Sequence, residues 1–327
     1  MAHRTWRFAI IGCGRMGRLH TERLHADGRG RVVALFDRDR ESSGSLRRET
    51  APDAAVCDEL PSLLQQTNLD AAVVCTPTTS HYEQTLACRA RGLHVLCEKP
   101  LAESRDRIVA LVNESRLPGP HCVLAYQRRF WSTFRTLRRE VQSGRWGPVR
   151  AVTSHNVEHW QPTIAGTWRD DPAINVGGFV GDAGSHKIDG VFYVTGLAPR
   201  EVFARSWNCG SRVPIVSSVS AVLEGDVPLC MDFIGHAQCL GEDLHVHCAE
   251  ADLMVRDRRV WIARGNCVEP LENIEPESDP DRGFLDLLDG EAPNVAPFEC
   301  ALPVFETTMA ILESSRTGRS VGVGITP

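Results

Sequence analysis

The chain has 327 residues, 42% of them hydrophobic and 24% charged, with a formal net charge of −6. That length exceeds what one hydrophobic core usually serves, so two globular domains are expected. The acidic balance leaves no basic footprint for nucleic acid, and no apolar run nears the ~20 residues of a membrane-spanning helix.

Met1-Ala2-His3-Arg4-Thr5-Trp6 leads straight into an apolar run, which reads as a cytoplasmic protein with no secretory leader. Strands are then predicted over Arg7–Ile11, Arg31–Phe36, Asp70–Cys75, Leu93–Cys97 and His121–Ala125, with helices over Arg15–Ala26, Ser80–Ala90 and Ser104–Ser115. Strands apolar on both faces, alternating with helices, specify a doubly wound parallel sheet, an α/β Rossmann domain over residues 1–125. From residue 126 the texture changes. A helix over Phe130–Gln142 precedes alternating runs at Val149–Glu158, Glu201–Trp207, Ser217–Glu224, Pro228–Gln238, Asp243–Cys248 and Arg259–Ala263. Glu224-Gly225-Asp226 predicts a hairpin turn, and helices fall near His186–Thr195 and Phe298–Ser315. Residues 126–327 therefore read as an α+β domain with a large, mainly antiparallel open sheet. An open sheet face needs covering, so a homodimer or homotetramer is expected.

None of the twelve cysteines forms a C-x-x-C pair, so small buried thiols are expected rather than disulfides or zinc ligands. His155 with His159, and His245 with His247, have strand spacing, but no third ligand converges in sequence and no metal is assigned.

The chemistry begins at Gly12-Cys13-Gly14-Arg15-Met16-Gly17, a G-x-G-x-x-G run between a predicted strand and helix. The first glycine permits a tight turn, the second lets backbone approach a pyrophosphate, and the third packs helix on strand. Asp37, twenty residues on, closes the second strand where a carboxylate accepts from a ribose 2′-hydroxyl. That favours NAD; the neighbouring Arg38, which suits a 2′-phosphate or stacks on adenine, keeps NADP open. Thr76, Pro77 and His81 follow the strand Asp70–Cys75, near where the nicotinamide half of the cofactor should pass. Glu98-Lys99-Pro100 follows the strand Leu93–Cys97, at the carboxyl edge where such sheets bind ligands.

Taken together, the Rossmann fingerprint, Thr76-Pro77…His81, Glu98-Lys99-Pro100 and the distal Gly177-Gly178…Asp182…His186 resemble the glucose–fructose oxidoreductase/inositol dehydrogenase family, Gfo/Idh/MocA. The resemblance implies an NAD(P)-dependent dehydrogenase or reductase acting on a secondary hydroxyl or ketone of a sugar, cyclitol or polyol. It also implies catalytic roles: His186 as general base, Asp182 as its partner, and Lys99 as donor to the reacting oxygen. The side chains suit those roles, since histidine titrates near neutrality and an ammonium stabilises a developing alkoxide. By position, Glu98 is expected at the nicotinamide ribose, Gln127 at the cofactor, and Arg128, Trp168 and Arg169 at the substrate. Asp182 and His186 are four residues apart, so on one helix they would share a face. Two departures stand out: Val176 where the family commonly has a first glycine, and Lys187 where an apolar residue is common. The pair Arg128-Arg129 reads otherwise as solvated charge. A redox-neutral glycosidase or lyase holding its NAD tightly shares every motif, and a non-catalytic dinucleotide sensor shares the fold.

Overall fold

Apolar segments at the centre of the first unit pair side by side because their side chains are buried and their backbone N–H and C=O groups must find partners in neighbouring strands. The computed structural model describes residues 4–66 and 68–324. Its chain divides into two compact units, one running up to Tyr126 and joined by Ser278–Glu299, the other taking Gln127–Glu277 and the chain from Cys300 onward. The first break falls after Tyr126, where the sequence reading placed it after residue 125. The return of 278–299 to the first unit corrects the expected second domain.

The first unit runs β1 (Trp6–Ile11), α1 (Arg15–Asp27), β2 (Gly30–Phe36), α2 (Arg40–Glu49), β3 (Ala55–Cys57), α3 (Leu60–Leu64), β4 (Ala71–Val74), α4 (His81–Ala90), β5 (His94–Cys97), α5 (Arg105–Arg116) and β6 (Cys122–Leu124). The strands form one sheet in the order β3-β2-β1-β4-β5-β6, with every pair parallel. This is the doubly wound order, whose direction reverses between β1 and β4, so ligands belong at the carboxyl ends of those strands. Helix α1 buries Gly17, His20, Thr21 and Leu24, the i, i+3, i+4, i+7 stripe of a helix lying on a sheet.

What ties the returning segment down is charge around a buried ring. Phe284 stacks edge-on to Phe8 at 6.1 Å, and Trp6 Nε1 donates to Asp289. Arg29 donates to Asp27, Asp286 and Asp289 at 2.7–3.0 Å, and Leu124 N donates to Ala296 O.

The second unit contains α6 (Ser132–Gln142), β7 (Val149–His159), α7 (Gln161–Ile164), α8 (Gly178–Gly181), α9 (Ser185–Thr195), β8 (Pro199–Trp207), β9 (Val216–Leu223), β10 (Val227–Ile234), β11 (His236–Cys248), β12 (Asp252–Arg256), β13 (Arg259–Arg264) and β14 (Cys267–Pro270). After α10 (Pro280–Leu288), which belongs to the first unit, α11 (Ala301–Thr317) and β15 (Val321–Gly322) complete it. Nine strands pair in the order β14-β13-β12-β11-β7-β10-β9-β8-β15; β7 and β10 are parallel and the other pairs antiparallel. The hairpin at Glu224–Asp226 joins β9 to β10 as expected. The run expected as one strand over Pro228–Gln238 is instead two, divided at Gly235.

Alternation along β8, β9 and β10 buries Val202, Ala204, Val219, Ala221, Leu229 and Met231. Helix α11 packs on β8, α9 on β7, and α6 on both α9 and β12. The α6–α9 approach is close because Gly190 carries no side chain; a Cβ there would lie 2.8 Å from Phe134 Cε1. Phe134 is itself fully buried, worth roughly 2–3 kcal/mol of hydrophobic stabilisation. All twelve cysteines are free thiols. No described helix is long and apolar enough to cross a membrane.

Candidate active site

In the first unit the glycine turn is built for a close neighbour. Gly12 has φ +98°, and a Cβ there would fall 2.7 Å from the Cys75 carbonyl carbon and 2.8 Å from Thr76 N, at the end of β4. Gly17 would place its Cβ 2.1 Å from Gly12 O, so helix and turn touch backbone to backbone. Gly14 differs, since a Cβ on it meets nothing within 4 Å. It is the N-cap residue of α1, no side chain caps that helix start, and the space before it is open. Amide donors, a positive helix end and clear room are what a pyrophosphate requires.

Asp37 closes β2, and its Oδ2 accepts from Cys13 N at 2.7 Å while Oδ1 accepts from Asp39 N. The carboxylate thus sits on the glycine turn itself. Arg15 and Arg38 are exposed and Met16 is half-buried along the same rim. These residues fit a dinucleotide, and Gly12, Gly14, Gly17 and Asp37 are the ones that would hold it.

The loops after β4 and β5 are clipped together. His81 is buried, with Nε2 2.7 Å from Thr76 O and Nδ1 2.8 Å from Pro100 O. Burial holds its pKa below the usual histidine value, against the pull of the two carbonyls. Thr76 donates to Gln84, and Pro77 is exposed. His81 was expected to touch the cofactor. Its two nitrogens instead face the carbonyls of Thr76 and Pro100, so the ring links the two loops.

Glu98 was expected at the nicotinamide ribose. It is buried, its Oε1 lies 3.2 Å from His20 Nε2, and its Oε2 accepts from Lys99 N at 3.0 Å. One oxygen faces the buried His20 ring and the other the Lys99 amide. Lys99 itself is half-buried, and its peptide bond to Pro100 is cis.

In the second unit, Asp182 and His186 do not share one helix. Helix α8 stops at Gly181, Asp182 takes φ −90° and ψ −87°, and α9 starts at Ser185. The aspartate therefore sits in a break between two helices, with His186 in the first turn of the second. Both are buried. Arg169 Nε donates to Asp182 Oδ2 at 2.9 Å and its guanidinium lies 4.2 Å over the Trp168 ring, while Asn175 donates to Arg169 O. Arg169, expected at the substrate, thus fixes Asp182, and Trp168 braces it. The Gln127 amide nitrogen stands 3.4 Å from His186 Nε2. Val176 is accommodated, because the positive φ values fall on Gly177 and Gly178 and no described residue at 176 needs one.

The consecutive residues 127–129 clamp α9. Arg128 donates through Nε and Nη2 to Glu242 at 2.7–3.2 Å, and Lys187 Nζ meets the same carboxylate at 2.8 Å and Glu158 at 3.1 Å. Burial opposes ionisation of Glu242, but Arg128 and Lys187 outweigh it and hold its pKa down at about 2. Arg129 makes a forked pair with buried Asp189 at 2.7–3.0 Å. The Arg128-Arg129 run is therefore buried and paired, not solvated, and Arg128 spends its charge on Glu242 rather than on a substrate. Sequence reasoning missed Glu158, Asp189 and Glu242. The one signal was Lys187 at a position where apolar residues are common, since a charge on a buried helix face demands a partner.

Removing that lysine should be costly. Lys187→Met leaves Glu158 without its buried cation and Glu242 with Arg128 alone, and is expected to destabilise by about 3–5 kcal/mol. A chemical-denaturation midpoint equal to wild type would contradict this.

The sequence profile of an oxidoreductase family with an NAD-binding Rossmann fold matches residues 6–119, and that of the GFO/IDH/MocA C-terminal domain matches residues 134–249. The chain belongs to the Gfo/Idh/MocA family. Among Gfo/Idh/MocA relatives, the myo-inositol 2-dehydrogenase of Thermotoga maritima is 28% identical over 198 residues, covering 61% of this chain and 57% of that protein. Inositol 2-dehydrogenase 2 of Saccharopolyspora erythraea is 33% identical over 187 residues, covering 57% and 52%. The matched stretch thus spans little more than half the length of these relatives. An oxidoreductase domain protein from Kribbella flavida has the same fold, with a TM-score of 0.87 at 19% identity over 98% of this chain and all of that one.

Proposed function

We propose that this Gfo/Idh/MocA chain is an NAD(P)-dependent oxidoreductase of a secondary hydroxyl or ketone on a sugar, cyclitol or related polyol. The observation that carries the reading is the His186 arrangement, an imidazole facing an amide donor and preceded by an aspartate that an arginine holds still. That arrangement stands in a chain whose other unit carries a dinucleotide-binding glycine turn. Dehydrogenase names among the relatives support the choice of substrate class.

In this reading His186 Nε2 takes the hydroxyl proton, and in the reverse direction returns it to the carbonyl oxygen. Asp182, fixed by Arg169, favours the protonated imidazole that forms. Lys99 donates to the reacting oxygen and offsets its developing negative charge. When bound, the dinucleotide accepts or supplies the carbon-bound hydrogen with its electron pair. Asp37 at the glycine turn selects NAD by repelling a 2′-phosphate, whereas exposed Arg38 is the residue through which NADP would be held. Turnover of a polyol and aldose panel, followed at the reduced-nicotinamide absorbance band with NAD and with NADP, tests this. Net reduction with NAD supports it, and no turnover in either direction with any member overturns it.

The reading includes self-association. Phe203 and Trp207 on β8 are 41% and 51% exposed on the sheet face that also presents Ser218, Ser220 and Cys230. A second copy covering that face makes a homodimer or homotetramer. Sedimentation is expected to give two or four copies, shifting toward one in Trp207→Asp. A monomeric wild type would contradict it.

A further inference from the structure

Helix α1 carries a charged side chain where a Rossmann helix ordinarily packs apolar ones. His20 is fully buried, on the same stripe as Gly17 and Leu24. Its Nδ1 lies 2.8 and 2.9 Å from the two oxygens of Asp281, and its Nε2 lies 3.2 Å from Glu98 Oε1. A neutral imidazole has one N–H and can donate to one carboxylate only. With an ionised carboxylate on each side, both nitrogens donate and the ring is an imidazolium; burial raises the Asp281 carboxyl, and His20 opposes that rise. Burial pushes its pKa down, but Asp281 and then Glu98 outweigh this and lift it to about 10.

Every group around the ring bears on that charge. Arg23 of α1 reaches Asp281 Oδ2 at 3.7 Å, and Asp279 caps α10 by accepting from Asp281 N and Arg282 N. Cys75 at the end of β4 is pushed well up by burial and by the charges of Glu98 and Asp281, so it stays a neutral thiol. From the end of β5 come Glu98 and Lys99. The Glu98 carboxylate is shared between His20 on one oxygen and the Lys99 amide on the other. Burial raises the Glu98 pKa, yet His20 and Lys99 hold it below the ordinary glutamate range.

We infer that His20 is a positioning residue for Lys99: its imidazolium keeps Glu98 ionised and turned inward, and Glu98 fixes the backbone that presents the lysine. This rests on the reading of Lys99 as the donor to the reacting oxygen. The line Asp281–His20–Glu98–Lys99 crosses three elements, α10, α1 and the end of β5. It ties the returning segment to the cofactor helix and to the lysine. A purely structural plug at residue 20 needs only volume. This arrangement also needs charge, because without it two carboxylates face each other in a buried space and one must take up a proton.

Two measurements separate charge from volume. In the wild-type protein, ring ¹⁵N shifts of His20, assigned by their loss in His20→Gln, should show both nitrogens protonated at about pH 8, well above the ordinary histidine pKa. A neutral ring at that pH overturns the proposal, and this readout does not depend on turnover. In His20→Gln, which keeps a donor but no charge, NAD affinity by titration should stay near wild type while kcat falls about 10- to 100-fold at little-changed KM. Its pH–kcat profile should gain an ionisation from Glu98. A folded His20→Gln with wild-type kcat and pH profile overturns the proposal. Should that variant not fold, Glu98→Gln decides it: losing one carboxylate should lower the ring's titration point, and an unchanged point overturns the inference. Failure of every polyol to react would sink the functional reading while leaving the ring titration to stand on its own.

Discussion

Replacing His186 by alanine is expected to lower turnover roughly 10²–10⁴-fold while leaving dinucleotide affinity unchanged. The side chain lies in the first turn of α9, one residue before the fully buried Lys187 and three before the buried Asp189. Those two neighbours anchor the helix to Glu242 and to Arg129. The fold should therefore survive the substitution, and the loss should fall on proton transfer alone. Steady-state rates beside an NAD titration and a thermal midpoint check this. A loss of less than about tenfold would remove His186 from the chemistry. A large loss accompanied by unfolding would mean that the ring is structural.

Gly12→Ala is expected to damage both folding and cofactor binding, whereas Gly14→Ala should damage binding alone. At Gly12 the backbone has φ +98° and an added Cβ meets three backbone atoms of Cys75 and Thr76 at 2.7–2.8 Å. Neither β1 nor β4 can give way, because each is buried in the middle of the sheet. The strained φ alone costs roughly 1–2 kcal/mol, and the clash adds to it. At Gly14 the Cβ meets nothing within 4 Å, so the methyl group costs the protein little. It does fill the approach by which a pyrophosphate would reach the start of α1, and a loss of at least about tenfold in NAD affinity is expected. Equal stability loss in the two variants, or unaltered NAD affinity in Gly14→Ala, would contradict this division.

Much of the first unit was legible because its signals are local. The glycine turn, the strand ending at Asp37 and the Glu98-Lys99-Pro100 corner are each fixed by neighbours in sequence. Residues 40–64 were not, since α2 buries only Ser43 and Leu46 and β3 has three residues, too little for a periodicity to show. Nor was the return of 278–299, whose anchors on Arg29 and Trp6 are more than 250 residues away. In the site, the residue types were readable and their partners were not. Arg128 looks like a surface cation until Glu242, 114 residues on, arrives beside it. His20 gave no signal, because only tertiary structure brings Asp281 and Glu98 to its two nitrogens. The spacing of Asp182 and His186 suggested one helix, and the glycines that break it at Gly181 were read as a motif rather than as a stop.

Transfer of carbon-bound deuterium tests the central claim most directly. The protein would be mixed with NAD and with polyols deuterated at their carbinol carbons, and the cofactor analysed by mass. The account predicts that reduced nicotinamide accumulates and carries the label, at a rate that falls with His186→Ala. Cleavage or elimination on the substrate with no net reduced cofactor would contradict it, and would identify a closed redox cycle in place of a dehydrogenase.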